Sequence, residues 1–195
     1  MIKKLTIAVC LTLLLAPLAG AAVGSGVTMP DTITVAGEQL VLNGMGVRQK
    51  KIVVVSLDVY VIGLYLKNKS ADAKAIVAAD ETMTMKIEIV TGLITAEKFR
   101  QATLEGFQES TGGNTAPIQK EIDLFMTAFE QEINKGDVFD IQYVKDKGVM
   151  VYKNGQTEPE VVVPGLQVKQ ALFGIWLGQR TEKALQTMAQ GMLGK

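Results

Sequence analysis

Residues 42–66 read LNGMGVRQKKIVVVSLDVYVIGLYL. Gly44-Met45-Gly46 places two residues without Cβ atoms where the backbone has to turn or pass close to something. Arg48 follows, and then Ile52, Val53, Val54 and Val55, whose β-branched side chains read as strand. The β-rich character runs over 51–66, with Val59, Val61 and Leu64 apolar, until Asn68 to Ser70 breaks it. A permanently charged, planar side chain set between two glycines and a strand needs a cause.

Working outward, Thr32-Ile33-Thr34-Val35 alternates at period two, Ala36-Gly37 turns, and Gln39 to Leu42 forms a second strand. Downstream, Ser70 is a candidate cap for a short helix over 71–79, with Ala73, Ile76 and Val77 on one face. Thr82 to Val90 alternates, Met83, Met85, Ile87 and Ile89 against Lys86 and Glu88, which fits a strand with one face in a core. Thr95 caps a helix with a stripe of Phe99, Ala102, Gly106 and Phe107. After a Gly-Gly loop, Pro117 opens a second helix whose stripe is Ile118, Ile122, Phe125, Phe129 and Ile133, ended by Lys135 and Gly136. Strands return at 138–144, 149–152 and 160–163, with Asn154-Gly155 a type I′ turn signal. Helices at 166–177 and 181–192, the latter capped by Thr181, close the chain. This succession predicts an α+β fold, a mainly antiparallel sheet with helices layered on one face.

The first residues, MIKKLTIAVCLTLLLAPLAGAA, combine Lys3 and Lys4, a short apolar run and the small residues Ala19-Gly20-Ala21. They read as a secretory signal peptide spanning 1–21, cleaved after Ala21 or Ala22, because the run is shorter than the ~20 residues of a spanning helix. One domain over 22–195 follows, with no membrane insertion expected after cleavage. The single cysteine, Cys10, lies in the removed segment, which fits a bacterial periplasm better than a disulfide-built secreted protein. Of the 20 basic residues two, Lys3 and Lys4, are lost with it, leaving 18 against 20 acidic ones. That balance argues against a nucleic-acid partner.

There is no histidine, which excludes Ser-His-Asp and Cys-His catalysis and histidine-ligated zinc. Neither Glu121 with Asp123 nor Asp137 with Asp140 has the spacing of a carboxylate pair or metal site. Gly44-Met45-Gly46 lacks the third glycine of a dinucleotide fingerprint, since position 49 is Gln, and strand rather than helix follows. No cofactor is expected. Arg48 is then open to two readings: a screened charge on a strand, or a fork at the mouth of an apolar cavity holding a carboxylate or enolate by two charge-assisted bonds.

Beyond this, residues 42–66 carry Gly-x-Gly-x-Arg, a strand pair, and Ile62-Gly63-Leu64-Tyr65-Leu66. With AEKFRQATLEGF at 96–107, DLFMTAFEQEINKGD at 123–137 and ALFGIWLG at 171–178, the chain resembles the bacterial, exported branch of the chalcone isomerase fold family. The resemblance implies an open-faced β-sandwich, a large antiparallel sheet under a layer of helices, with a ligand cleft between them. Plant members close chalcones by adding a phenolate to an enone, and their arginine aligns with Arg48. Their other site positions fall on Tyr60 for a threonine, Phe99 for a tyrosine, Gly106 for an asparagine, and near Gln170 for a serine or threonine. Without those polar groups the resemblance implies no efficient chalcone closure. Non-catalytic members bind fatty acids, the arginine gripping the carboxylate. The expectation is therefore a binder of a small amphipathic or fatty acid through Arg48, Tyr60, Phe99, Gly106 and Gln170, with Tyr60 or Tyr65 replacing a missing head-group tyrosine. A weak intramolecular lyase or isomerase acting on an enone, or a scaffold with a closed cleft, are the alternatives.

Overall fold

A computed structural model describes residues 21–195. Seven strands form one antiparallel sheet whose spatial order equals their chain order: β3 (Thr32–Val35), β4 (Glu38–Ile52), β5 (Val55–Leu66), β6 (Met83–Ile89), β7 (Val138–Val144), β8 (Gly148–Lys153) and β9 (Val161–Val163). A small ribbon, β1 (Ala21–Gly24) with β2 (Val27–Pro30), stands apart from it in hydrogen bonding. Among the described residues five α-helices complete the fold: α1 (Ala73–Ala78), α2 (Ala96–Ser110), α3 (Gln119–Met126), α4 (Leu166–Leu177) and α5 (Lys183–Met192). The expected α+β architecture, a large open antiparallel sheet with helices on one face, is the one observed.

The sheet has two unequal cores. Alternate residues of β5, namely Tyr60, Ile62, Leu64 and Leu66, join Phe99, Phe107, Phe125, Phe129 and the apolar face of α4 in the larger one. Val61 and Tyr65 face the other way, into a smaller core with Val27, Met29, Leu40 and Leu42. The ribbon covers that side only in part, so the sandwich is open-faced. Tyr65 ties it down by donating from its hydroxyl to the carbonyl of Pro30 at 2.9 Å.

The turns follow local chemistry. Ala36-Gly37 and Ser25-Gly26 both take positive φ and close two-residue hairpins. Asn154 and Gly155 do so too, at φ 52° and 73°, but a longer loop separates them from β9. Thr95 caps α2 as expected, accepting from the amide of Lys98. Other expectations need correcting. The cap of α1 is Asp72, which accepts from the Ala75 amide, while Ser70 instead accepts from Asp72. The second middle helix is α only to Met126. The Thr127 hydroxyl donates back to the Leu124 carbonyl and the last turn tightens to 3-10, although Phe129 and Ile133 remain buried. Gly136, at φ 90°, belongs to the turn into β7, donating to the Ile89 carbonyl. Val53 and Val54 are no strand interior; they are the turn between β4 and β5.

A fully buried lysine that sequence reading passed over, Lys169 of α4, fastens α1 to the core. Its ammonium donates to the carbonyls of Ile76, Val77 and Ala79 at 2.8–2.9 Å, the otherwise orphaned end of α1, and lies 5.1 Å from the Phe173 ring centre. Burial lowers its pKa to about 8. The signal-peptide reading falls on residues outside the described ones, apart from its last position, Ala21.

Candidate functional site

Gly44, Gly46 and Arg48 alternate along β4 and therefore share one face. Helix α5 lies on that face. A Cβ on Gly44 would stand 2.2 Å from the carbonyl oxygen of Gly191, and one on Gly46 the same distance from that of Met188. Gly191 returns the constraint, for its own Cβ would stand 2.3 Å from the carbonyl of Met45. What approaches the Gly-x-Gly stretch is thus backbone of this chain. Asn43 locks the far end of the helix, donating to the carbonyls of Met192 and Ser70 at 2.8 and 2.9 Å and accepting from the Ser70 amide at 2.7 Å.

At the near end the same packing brings Glu182, the residue preceding α5, onto Arg48. The guanidinium donates from Nη1 to Oε1 at 2.9 Å and from Nη2 to Oε2 at 3.2 Å, a two-pronged pair, and Nη1 also donates to the carbonyl of Gln49 at 2.6 Å. Thr181, expected as the helix cap, makes no side-chain cap bond, and neither does Glu182, whose carboxylate is turned to the arginine.

Directly across from Arg48 on β5 stands Tyr60. The register slips there, Gln49 pairing with Asp58, so Val59 is an extra residue that bends the strand. Tyr60 and Arg48 consequently meet a cleft of about 440 Å³ between the sheet and helices α2, α4 and α5. Val59, Phe99, Ile175, Trp176 and Leu185 give it apolar walls. The Tyr60 hydroxyl accepts a hydrogen bond from the indole Nε1–H of Trp176 at 2.9 Å. Burial pushes its pKa above the ordinary value, so the phenol stays protonated at neutral pH, and among the described residues its proton is given to no protein acceptor. Phe99 presents its ring at 6.4 Å, edge-on to Tyr60, and continues into a cluster with Phe129 and Phe139. At the mouth a second pair joins Arg180 to Glu109, Nη1 to Oε2 at 2.7 Å. Thr103 is spent on its own helix, donating to the Phe99 carbonyl at 2.8 Å.

Of the residues expected to form a site, the structure brings together Arg48, Tyr60 and Phe99. Gly106 does not line the cleft. A Cβ there would meet Ile175 Cγ2 at 2.6 Å, so its role is to let α2 close on α4 and set Ile175 in the wall. Gln170 lies outside the cleft as well, half-buried beside α1, its amide 3.4 Å from the carbonyl of Ala78. Tyr65 points to the opposite core. Sequence reading missed Trp176, Arg180 and Glu182. The lone tryptophan within ALFGIWLG was a signal; nothing local marked Glu182 as a partner for a residue 134 positions away. Among the described residues no cluster of acidic, histidine or cysteine side chains is arranged to hold a metal.

The sequence matches a family model described as chalcone isomerase-like over residues 21–194. No curated protein matches by sequence. Among solved structures, the crystal structure of a fatty-acid binding protein from Arabidopsis thaliana superposes with a TM-score of 0.70 at 18% identity, covering 89% of this chain and 96% of that one.

Proposed function

Because the chain belongs to the chalcone isomerase-like family, we propose that it is a non-catalytic binder of a small amphipathic acid, with the carboxylate at Arg48 and the aliphatic chain against the apolar walls of the cleft. The observation that carries this reading is the placement of a guanidinium fork and a protonated phenol, paired across β4 and β5, at a cleft of about 440 Å³ that has apolar walls and charged residues such as Lys98, Glu109 and Arg180 around it. That volume falls within the about 300–1,000 Å³ of ordinary ligand pockets. The fork suits a carboxylate in two-pronged geometry, and the Tyr60 hydroxyl supplies a third donor while Trp176 holds its oxygen. Fatty-acid binding by the Arabidopsis relative supports the choice of ligand class.

Glu182 gives this reading its form. Its carboxylate already occupies the fork, so it stands where a ligand head group would, and an incoming acid displaces it. It is about half exposed and therefore gives way at small cost. Turnover of an enone is less well supported. Phe99 has no hydroxyl and Gly106 is packed under Ile175, so neither provides a donor for a developing enolate. Calorimetric titration with a long-chain fatty acid and its methyl ester tests the proposal. The acid should bind with one-to-one stoichiometry and the ester far more weakly; equal binding would remove the carboxylate from the account.

A further inference from the structure

The turn between β4 and β5 is unlike every other tight turn in the fold. Ile52, Val53, Val54 and Val55 are 49%, 87%, 83% and 63% exposed, four consecutive aliphatic side chains in solvent. Val53 holds φ 57°, a backbone region that β-branched residues rarely enter. The hairpins at Ser25-Gly26 and Ala36-Gly37, and the turn at Asn154-Gly155, meet the same demand with small or polar residues and glycine. Folding alone gives no reason for valines here, and strain of this kind is kept where it serves a function.

The tip is also basic. Lys50 and Lys51 are exposed beside it on β4, and no acidic residue occurs between Gln49 and Leu57. The acids around it are engaged: Glu182 with Arg48, Glu109 with Arg180, Glu105 with Gln101, and Asp58 with Ser25 and Gln49. Among the described residues Lys50, Lys51 and Lys98 form no ion pair. Ile52, Leu57 and Lys98 line the cleft, as does Leu93, 63% exposed, so the tip is the lip of the cavity.

We propose that this hairpin tip docks the protein on an anionic lipid bilayer, the four aliphatic residues entering the interface while Lys50, Lys51 and Lys98 face the head groups. Apolar side chains backed by lysines are the combination such a surface selects. A narrow convex tip cannot supply the ~800 Å² per partner of a stable protein interface, but depth in lipid needs no matching surface. The proposal stands whatever the cleft holds. It places the cavity mouth at the bilayer, where a poorly soluble amphiphile is most concentrated.

Tryptophan fluorescence of a Val54→Trp variant tests it, with the wild type, whose single tryptophan is Trp176 in the cleft wall, titrated in parallel and subtracted. Vesicles of phosphatidylglycerol and phosphatidylcholine should shift the new emission to the blue, and brominated phosphatidylglycerol should quench it. Phosphatidylcholine alone should not. Lys50→Glu/Lys51→Glu in the same background should raise the lipid needed by about tenfold or more. No shift with anionic vesicles, or an equal shift with neutral ones, overturns the proposal. So does a shift that follows protein concentration without lipid, which would assign the tip to a second copy of the chain.

Discussion

Arg48 does two things that a reading of its neighbourhood in sequence separates. It faces the cleft beside Tyr60, and it holds the start of α5 through Glu182. The magnitudes decide which matters more for the fold. Its partner is about half exposed, and ion pairs of that kind are worth about 0–1 kcal/mol. Arg48→Ala should therefore lower stability by no more than about 1 kcal/mol in denaturant melts. A loss of several kcal/mol would mean that the arginine is a buried structural anchor. Tyr60 is bound more firmly to its place, with Trp176 on its oxygen and Phe99 at its edge. The arginine is thus the adaptable member of the pair and the tyrosine the fixed one.

For the elements, the decisive contact is the interlock of β4 with α5. Backbone meets backbone at Gly44, Gly46 and Gly191, and no side chain is there to move aside. Gly46→Ala should cost about 1–3 kcal/mol or more by overpacking, and it should shift α5 so that Glu182 leaves Arg48. Unchanged thermal stability of that variant would contradict the interlock. This is also where the sequence was half legible. Gly-x-Gly announced a close approach, and the approach is real, but a local pattern cannot tell a ligand from a helix that arrives about 140 residues later. The C-terminal end of α4 was readable because the largely apolar stretch from Ala171 to Leu177 ends at Gly178. The β4–β5 turn was not, since four β-branched residues carry a strand's propensity whether or not the chain reverses there. Likewise Thr181 looked like a cap until the carboxylate next to it was drawn to the arginine.

Across the whole molecule, an open antiparallel sheet carries a helix layer that closes over one face, leaving a cleft where β4, β5, α2, α4 and the start of α5 converge. Its apolar walls come from the same residues that build the main core, which is why the pattern of core positions was legible before the cavity was. In the proposed function the Arg48 fork is a carboxylate site held by an internal stand-in, Glu182. The most direct test is calorimetric titration of one long-chain fatty acid into the wild type, Arg48→Ala and Glu182→Gln. A charge-assisted contact worth about 1.5–3 kcal/mol predicts affinity about ten- to a hundredfold weaker for Arg48→Ala. Removing the competing carboxylate predicts affinity about two- to fivefold tighter for Glu182→Gln, the ceiling being the pair's own strength. Equal affinity for all three proteins would rule out a carboxylate site at Arg48 and leave it as the partner of a helix end alone.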